Sequence, residues 1–273
     1  MTETAAATTT PTAVPPPPKR SFGDVLFDVI LWGGIAVLLI ISFVPANMYN
    51  LPLLFRGSDQ MSEFAADFTQ PDFTEWKTYV EQMWLTVQIA LWGTFLAVII
   101  AVPLGLMGAR NIAPWWIVQP TRRVMDVLRS IPDLVMGTLF IVAVGLGPLA
   151  GVLALALNTG GVLGKLFSEA VESIDKGPVE GVRATGGAKL HEIAWGVIPQ
   201  VAPLWTSFAL YRFESNSRAA TVLGLIGAGG IGQLLFQSLQ AFEHRQVAAI
   251  AIVIVVAVAA IDLLSQTIRK RLL

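Results

Sequence analysis

Cysteine is absent from this chain of 273 residues, and histidine occurs only twice. The absence of cysteine excludes disulfides, thiolate metal sites and cysteine nucleophiles, and two histidines leave little for a metal centre. Charged residues are also scarce: they make up 14% of the chain, against roughly 25% in a typical soluble domain. A net charge of -1 gives no indication that the protein binds nucleic acid.

The chain is instead rich in apolar residues. Hydrophobic residues make up 54% of it, and the mean hydropathy is +0.65. A soluble fold of this size needs more charge to cover its exterior, and several apolar runs are long enough to cross a bilayer. The composition therefore predicts an all-α, polytopic protein of the lipid bilayer, with about six transmembrane helices at residues 25–44, 80–107, 131–148, 152–167, 197–210 and 247–268.

The segments around the first span differ in composition. Residues 1–21 are rich in Thr, Ala and Pro and are predicted to form a disordered cytoplasmic tail, because they cannot bury enough apolar area to fold. Residues 22–46 form the first membrane anchor, residues 47–78 an acidic extracytoplasmic loop, and residues 79–273 the remaining transmembrane core. The stretch between the second and third spans is predicted to be a basic loop.

The distribution of Lys and Arg predicts the orientation. With the N-terminus inside and six alternating spans, most basic residues fall on the inner face, as the positive-inside rule requires. We therefore expect a multi-pass protein of the cytoplasmic (inner) membrane with both termini cytoplasmic. The inner residues are Lys19, Arg20, Arg110, Arg122, Arg123, Arg129, Lys165, Lys176, Arg183, Lys189, Arg269, Lys270 and Arg271.

The loop between the fourth and fifth spans is predicted to contain a short helix. Gly177 and Pro178 break the helix that leaves the membrane, and Pro178 suits the first turn of a new one. Glu180 lies near the positive end of the new helix dipole, and Gly186-Gly187 ends the helix. A second helical stretch then returns towards Ile198-Pro199, so the short helix lies across the inner mouth of the bundle.

This loop resembles the "EAA" loop of permease subunits of ABC importers. Glu180, Gly186 and Ile198-Pro199 match its pattern, whereas Gly181 and Val182 replace two alanines and Gly196 stands where Ile is usual. Three other stretches resemble the phosphonate branch of these permeases, which have the type I, methionine-permease-like fold: Leu128–Leu134, Gly145–Pro148 and Gly224–Gly232. The resemblance covers about residues 86–273.

The resemblance implies a non-catalytic subunit of an ATP-driven importer for phosphonate, phosphite or phosphate, working by alternating access. The partners it implies are a second copy of the chain, cytoplasmic ABC ATPase subunits and an extracytoplasmic solute-binding protein. No cofactor is expected in this chain, because the ATPase binds ATP and Mg. The short helix would seat on the ATPase, with Glu180 and Arg183 forming salt bridges there; the implied coupling residues are Pro178, Glu180, Gly181, Val182, Arg183, Ala184, Thr185 and Gly186.

Arg212 and Arg218, directly after the fifth span, are predicted to lie on the outer side. Arginine is well shaped to bind an oxyanion, so one interpretation is a substrate path or gate. The alternative is a salt-bridged helix end, with Glu214 paired to an Arg. The candidate path residues are Arg212, Glu214, Asn216, Arg218, Gly227, Gly229 and Gly230.

Two further features have simple interpretations. Asp133, at the start of the third span, is predicted to pair with Arg129 at the membrane interface, because the two are four residues apart; a functional intramembrane carboxylate is the alternative. Residues 227–232 satisfy G-x-G-x-x-G, but no strand or suitably spaced acid accompanies them, so they predict tight turns and close packing rather than a nucleotide site.

Two other classes of protein compete with the importer. A stand-alone secondary transporter or channel for a small anion would have an inverted repeat and intramembrane carboxylates; no repeat is evident in the sequence, and the spans carry few such carboxylates. An intramembrane enzyme would need a Ser/His or paired-carboxylate arrangement at matched depth, and the spans show none.

Overall fold

The computed structural model describes residues 22–53, 62 and 65–272, and all regular secondary structure in these ranges is helical. The chain divides into two compact units, residues 1–62 and 63–273. In the first unit, helix α1 spans Phe22–Phe43 and a single 3-10 turn follows at Met48–Asn50. The predicted first span is thus confirmed as a helix, whereas the predicted tail at residues 1–21 lies outside the described residues.

The second unit is a helical bundle. Its helices, in chain order, are α2 (Trp76–Gly108), α3 (Trp115–Ser130), α4 (Asp133–Val144), α5 (Pro148–Glu172), α6 (Lys176–Ala184), α7 (Lys189–Gly224), α8 (Ile231–Gln240) and α9 (His244–Leu272). Among the described residues, five helices are long and apolar enough to cross a membrane, and a sixth crossing exists if the bent pair α3–α4 counts as one span.

The prediction of a single straight span at residues 131–148 is wrong, because the structure has two helices, α3 and α4, joined at a sharp bend. The basic stretch before it is not a loop but helix α3, which buries Val118, Thr121 and Met125 on one face. Helix α4 has only 12 residues, about 18 Å of rise, which is well short of the roughly 30 Å of a hydrocarbon core. The two helices meet at 91°. Ile131 is extended there because the ring of the following proline, Pro132, disfavours the helical conformation.

Helix α7 is longer than the predicted fifth span and contains an irregular turn. Its segment Glu192–Val197 is a π-helix, and regular α-helix runs from Ile198 to Gly224. Pro199 and Pro203 carry no amide hydrogen, so the helical hydrogen bonds that these positions would donate are missing around the junction. The segment 211–218, predicted to follow the span, therefore lies inside the helix.

The core of the bundle is formed by α2 and α5, which pack closely along their length. A Cβ atom at Gly105 would lie 2.6 Å from Cβ of Phe167, so glycine lets the two helices approach there. Phe167 in turn stacks on Trp205 of α7 with ring centroids 4.5 Å apart. Large apolar side chains thus tie α2, α5 and α7 into one body.

The glycine-rich segment forms the tight turn between α7 and α8, as its composition predicts. Gly227 and Gly230 have φ of 99° and 76°, in the left-handed region that glycine enters without strain. The amide of Ile231 donates to Oγ1 of Thr86 on α2 at 2.9 Å, which fixes the turn against the bundle. Helix α8, which follows, is too short and too polar to have been found from the apolar runs.

Candidate functional site

The predicted short helix in the loop between the fourth and fifth spans is confirmed as α6. It begins at Lys176, two residues before Pro178, because the Asp175 carboxylate accepts a hydrogen bond from the Gly177 amide and caps the first turn. Gly186 ends it with φ of 80°. The helix is amphipathic: Val179 and Val182 are half-buried, while the opposite face, including Glu180, Gly181, Ala184 and Thr185, is exposed.

Helix α6 is held against the π-helical turn of α7. Nε and Nη2 of Arg183 donate to the two carboxylate oxygens of Glu192 at 2.8 and 3.0 Å. The adjacent carboxylate raises the pKa of Arg183 above its usual value. A Cβ atom at Gly196 would lie 2.9 Å from Cα of Val179. Glycine at this position, where the family pattern has Ile, therefore permits the close contact between the two elements.

The segment that leads into α6 is fixed to the membrane helices. The side-chain amide of Gln200, on α7, accepts from the Asp175 amide at 3.1 Å and donates to the Asp175 carbonyl at 3.2 Å. At the end of α5, Glu172 accepts from Arg122 at 2.6 Å and from the Arg110 amide at 2.7 Å. Movement of α6 is therefore connected mechanically to α3, α5 and α7.

The surface beside α6 is apolar and open. Leu190 and Trp195 are 78% and 72% exposed, next to a groove lined by Val182, Thr185 and His191. Large exposed apolar side chains beside a charged helix are typical of a protein–protein contact. Of the predicted coupling residues, Glu180 faces outward, whereas Arg183 is already paired within the chain.

The second polar region lies on α7 among the membrane helices and has two faces. On one, the carboxylate of Glu214, with a side chain 10% exposed, contacts Arg218 at 3.0 Å and Arg269 of α9 at 3.4 Å. The pairing of Glu214 with an arginine is thus observed. Arg218 and Arg269 were predicted to lie on opposite sides of the membrane, and this separation is wrong, because both contact the same carboxylate.

On the other face, Arg212 and Asn216 are one turn apart and point to α5 and α2. Asn216 accepts from the hydroxyl of Thr159 at 2.9 Å and donates to the hydroxyl of Thr94 at 2.9 Å, all three side chains being buried. Arg212 reaches the same Thr159 hydroxyl with Nη2 at 3.4 Å. Its Nε is buried and has no hydrogen-bond partner.

The predicted pair between Arg129 and Asp133 is wrong. Arg129 donates through Nη2 to Asp126 at 2.8 Å, within α3. The 91° bend between α3 and α4 separates two residues that a continuous helix would place together. Asp133 instead lies close enough to Arg212 for electrostatic interaction, and it makes no hydrogen bond or ion pair within the described part of the chain.

The predicted path residues do not form one cluster. Gly230 lies against Thr86, eight residues along α2 from Thr94, or about 12 Å of helical rise, so the glycine turn is distant from Arg212. Thr94, Thr159 and Glu192 were missed by the sequence analysis, because nothing in their spacing reveals partners on other helices.

This bundle, with a short helix mounted outside it, has the fold of the transmembrane domain of a type I ABC importer. Its fold is similar to that of a chain of the MetNI methionine ABC transporter in an inward-facing conformation, with a TM-score of 0.64 and 21% identity over 71% of this chain and 95% of that one. Residues 101–273 match the family described as binding-protein-dependent transport system inner membrane component, and the chain therefore belongs to that family. The resemblance drawn from the sequence is confirmed.

Two curated relatives are particularly similar. The phosphite transport system permease protein PtxC of Stutzerimonas stutzeri is 40% identical over 82% of this chain and 82% of its own length. The putative cryptic phosphonate transport system permease protein PhnE2 of Escherichia coli (strain K12) is 57% identical over 43% of this chain and 97% of its own. Membership of a family of multi-protein import systems favours the importer over a stand-alone transporter or channel.

Proposed function

We propose that the chain is the permease subunit of an importer for phosphite, phosphonate or phosphate. The observation that carries this proposal is the 40% identity to a phosphite transport permease over 82% of both chains. The three anions share a small tetrahedral phosphorus centre with negatively charged oxygens, so one membrane path suits them all. Which of them is imported is then set mainly by the solute-binding protein that delivers the substrate.

The energy for transport comes, in this proposal, from separate ATPase subunits that bind ATP and Mg on the cytoplasmic side. Helix α6 is the coupling helix, and its exposed face around Glu180 seats on the ATPase. Three features support this role: the closed Arg183–Glu192 pair, the Gln200 contacts and the exposed Leu190 and Trp195. They fix α6 to the membrane helices and leave an apolar surface beside it for a partner to contact.

The assembly contains two permease chains, proposed here to be identical, so that the substrate path lies between copies of the bundle. Both termini are cytoplasmic, which places the basic end of α9, Arg269–Arg271, at the inner face together with α6. A solute-binding protein docks on the opposite face. Mass measurement of the purified complex distinguishes two copies of this chain from a pair with a different permease.

The test is transport by the assembled system in proteoliposomes. Permease, ATPase and solute-binding protein are reconstituted together, and uptake of phosphite, methylphosphonate and phosphate is measured with and without ATP. We expect ATP-dependent uptake of at least one of them and none of sulfate or methionine. ATP-dependent uptake of methionine without uptake of any phosphorus anion would contradict the proposed substrate class.

A further inference from the structure

Arg212, a partly buried side chain of α7, lacks a full set of partners. Its Nε is buried without a hydrogen-bond partner, and its Nη2 has only the long contact of 3.4 Å to the Thr159 hydroxyl. A guanidinium offers five N–H donors in a fixed fork that matches the geometry of an oxyanion. A charge in the membrane interior is costly unless it is paired or faces a watery path. The unfilled donors of Arg212 therefore indicate that it binds an anionic ligand reversibly.

The bend between α3 and α4 brings a helix N-terminus to this arginine. The side-chain amide of Asn158, next to Thr159, donates to the carbonyl of Ile131 at 2.8 Å and holds the bend in place. Helix α4 begins immediately after it, and its N-cap residue Pro132 supplies no side-chain hydrogen bond to the free amides. Interrupted membrane helices direct such N-termini, with their partial positive charge, towards anionic ligands.

One acidic group faces the same place. Asp133, the first residue of α4, interacts electrostatically with Arg212 without direct contact. Its negative charge balances Arg212 and the α4 N-terminus while no anion is bound. The neighbouring Thr94, Thr159 and Asn216 hold one another in fixed positions, which orients the Thr159 hydroxyl.

We propose that Arg212 and the N-terminus of α4 form a transient binding site for a phosphorus oxyanion inside the membrane domain, with Asp133 as the counter-ion of the empty site. The Thr159 hydroxyl, which donates to Asn216 and accepts from Arg212, positions the guanidinium. The substrate class rests on the proposed function above. The site itself rests on the geometry. An anion released from the solute-binding protein would engage the guanidinium fork, and a weak, exchangeable contact of this kind allows it to leave again.

The test compares variants of the complete transporter in proteoliposomes. Arg212→Gln is expected to lower ATP-driven uptake of phosphite or phosphate about tenfold or more, since a charge-assisted contact to the anion is lost. Arg212→Lys keeps the charge but not the forked arrangement of donors, so its uptake should lie between that of the wild type and that of Arg212→Gln. Arg123→Gln removes an equal charge from α3, where the side chain is 80% exposed, and is expected to lower uptake less than about threefold. ATP hydrolysis and the amount of assembled complex are measured for every variant.

The double variant Arg212→Gln/Asp133→Asn separates binding from structure. If Arg212 only neutralises Asp133, removal of both charges restores uptake, which would overturn the proposal; if Arg212 binds the anion, uptake stays low.

A direct readout is the thermal midpoint of the purified permease in phosphate or phosphite. Stabilisation of the wild type and not of Arg212→Gln supports the site, and equal shifts in both, or none in the wild type, overturn it. Wild-type transport of no phosphorus anion would contradict the proposed function instead.

Discussion

The two polar faces of α7 solve the problem of a charged group among membrane helices in different ways. On one face, Glu214 is contacted by both Arg218 and Arg269, so its charge is balanced within the chain. On the other, Arg212 has no salt bridge within the described part of the chain, and its one hydrogen bond, at 3.4 Å, goes to the neutral Thr159 hydroxyl. Its buried Nε has no partner, as is also true of Nε of Arg269. The comparison shows that charge alone does not identify a functional residue. A closed ion pair stabilises the bundle, whereas an open cation has capacity left for a ligand.

The largest effect on stability is expected in the ion cluster of Glu214, Arg218 and Arg269. Glu214→Gln leaves Arg218 and Arg269 without their carboxylate, so we expect the free energy of unfolding to fall by about 2–3 kcal/mol. Unfolding of the detergent-solubilised permease followed by circular dichroism measures this change. Asp262→Asn is the control, because that carboxylate is bonded to the exposed Gln266. If both variants lost equal stability, the closed cluster would have no special structural role.

A smaller loss of stability is expected from the hydrogen bonds among Thr94, Thr159 and Asn216, which lie beside Arg212. Asn216→Leu keeps the number and branching of the side-chain heavy atoms but leaves the Thr159 hydroxyl without its acceptor, and should lower stability by about 1 kcal/mol. The companion variant is Thr159→Val. If the two side chains are coupled, the double variant loses less than the sum of the single losses; strict additivity would show that the hydrogen bond contributes nothing.

The smallest effect is expected for the exposed ion pair of the coupling helix. Charge reversal in Arg183→Glu is expected to lower uptake about threefold, because it loosens α6 from α7 without removing either element. The pair of reversals Arg183→Glu/Glu192→Arg restores the attraction and should return uptake to within about twofold of the wild type. No recovery in the double variant would indicate that Arg183 contacts the partner directly, as the sequence analysis expected.

Local signals predicted much of this fold. Apolar runs located five of the long helices, and α6 was found because Pro178 and Gly186-Gly187 delimit it within a few residues. The bend at Ile131 was missed although Pro132 restricts the preceding residue, because the arginines of α3 suggested a loop. The partners of Arg183, Arg212 and Arg269 lie on other helices and depend on how the helices pack, and a single sequence holds no record of that packing.

The extent of α7 shows the same limit. The charged segment after residue 210 suggested the end of the span, since a charge in lipid is costly. In the structure those charges are balanced by α9 or directed into the bundle, so the helix continues to Gly224. Tertiary contacts thus outweighed the cost that composition alone would assign.

The central claim is that α6 couples ATP hydrolysis by a partner to movement of the anion through this chain. The most direct test measures both activities in the same proteoliposomes for Glu180→Lys and Gly186→Asp. These changes alter the exposed face of α6 and the left-handed residue that ends it. We expect hydrolysis without matching uptake in membranes that contain normal amounts of permease; wild-type uptake in both variants would contradict the account.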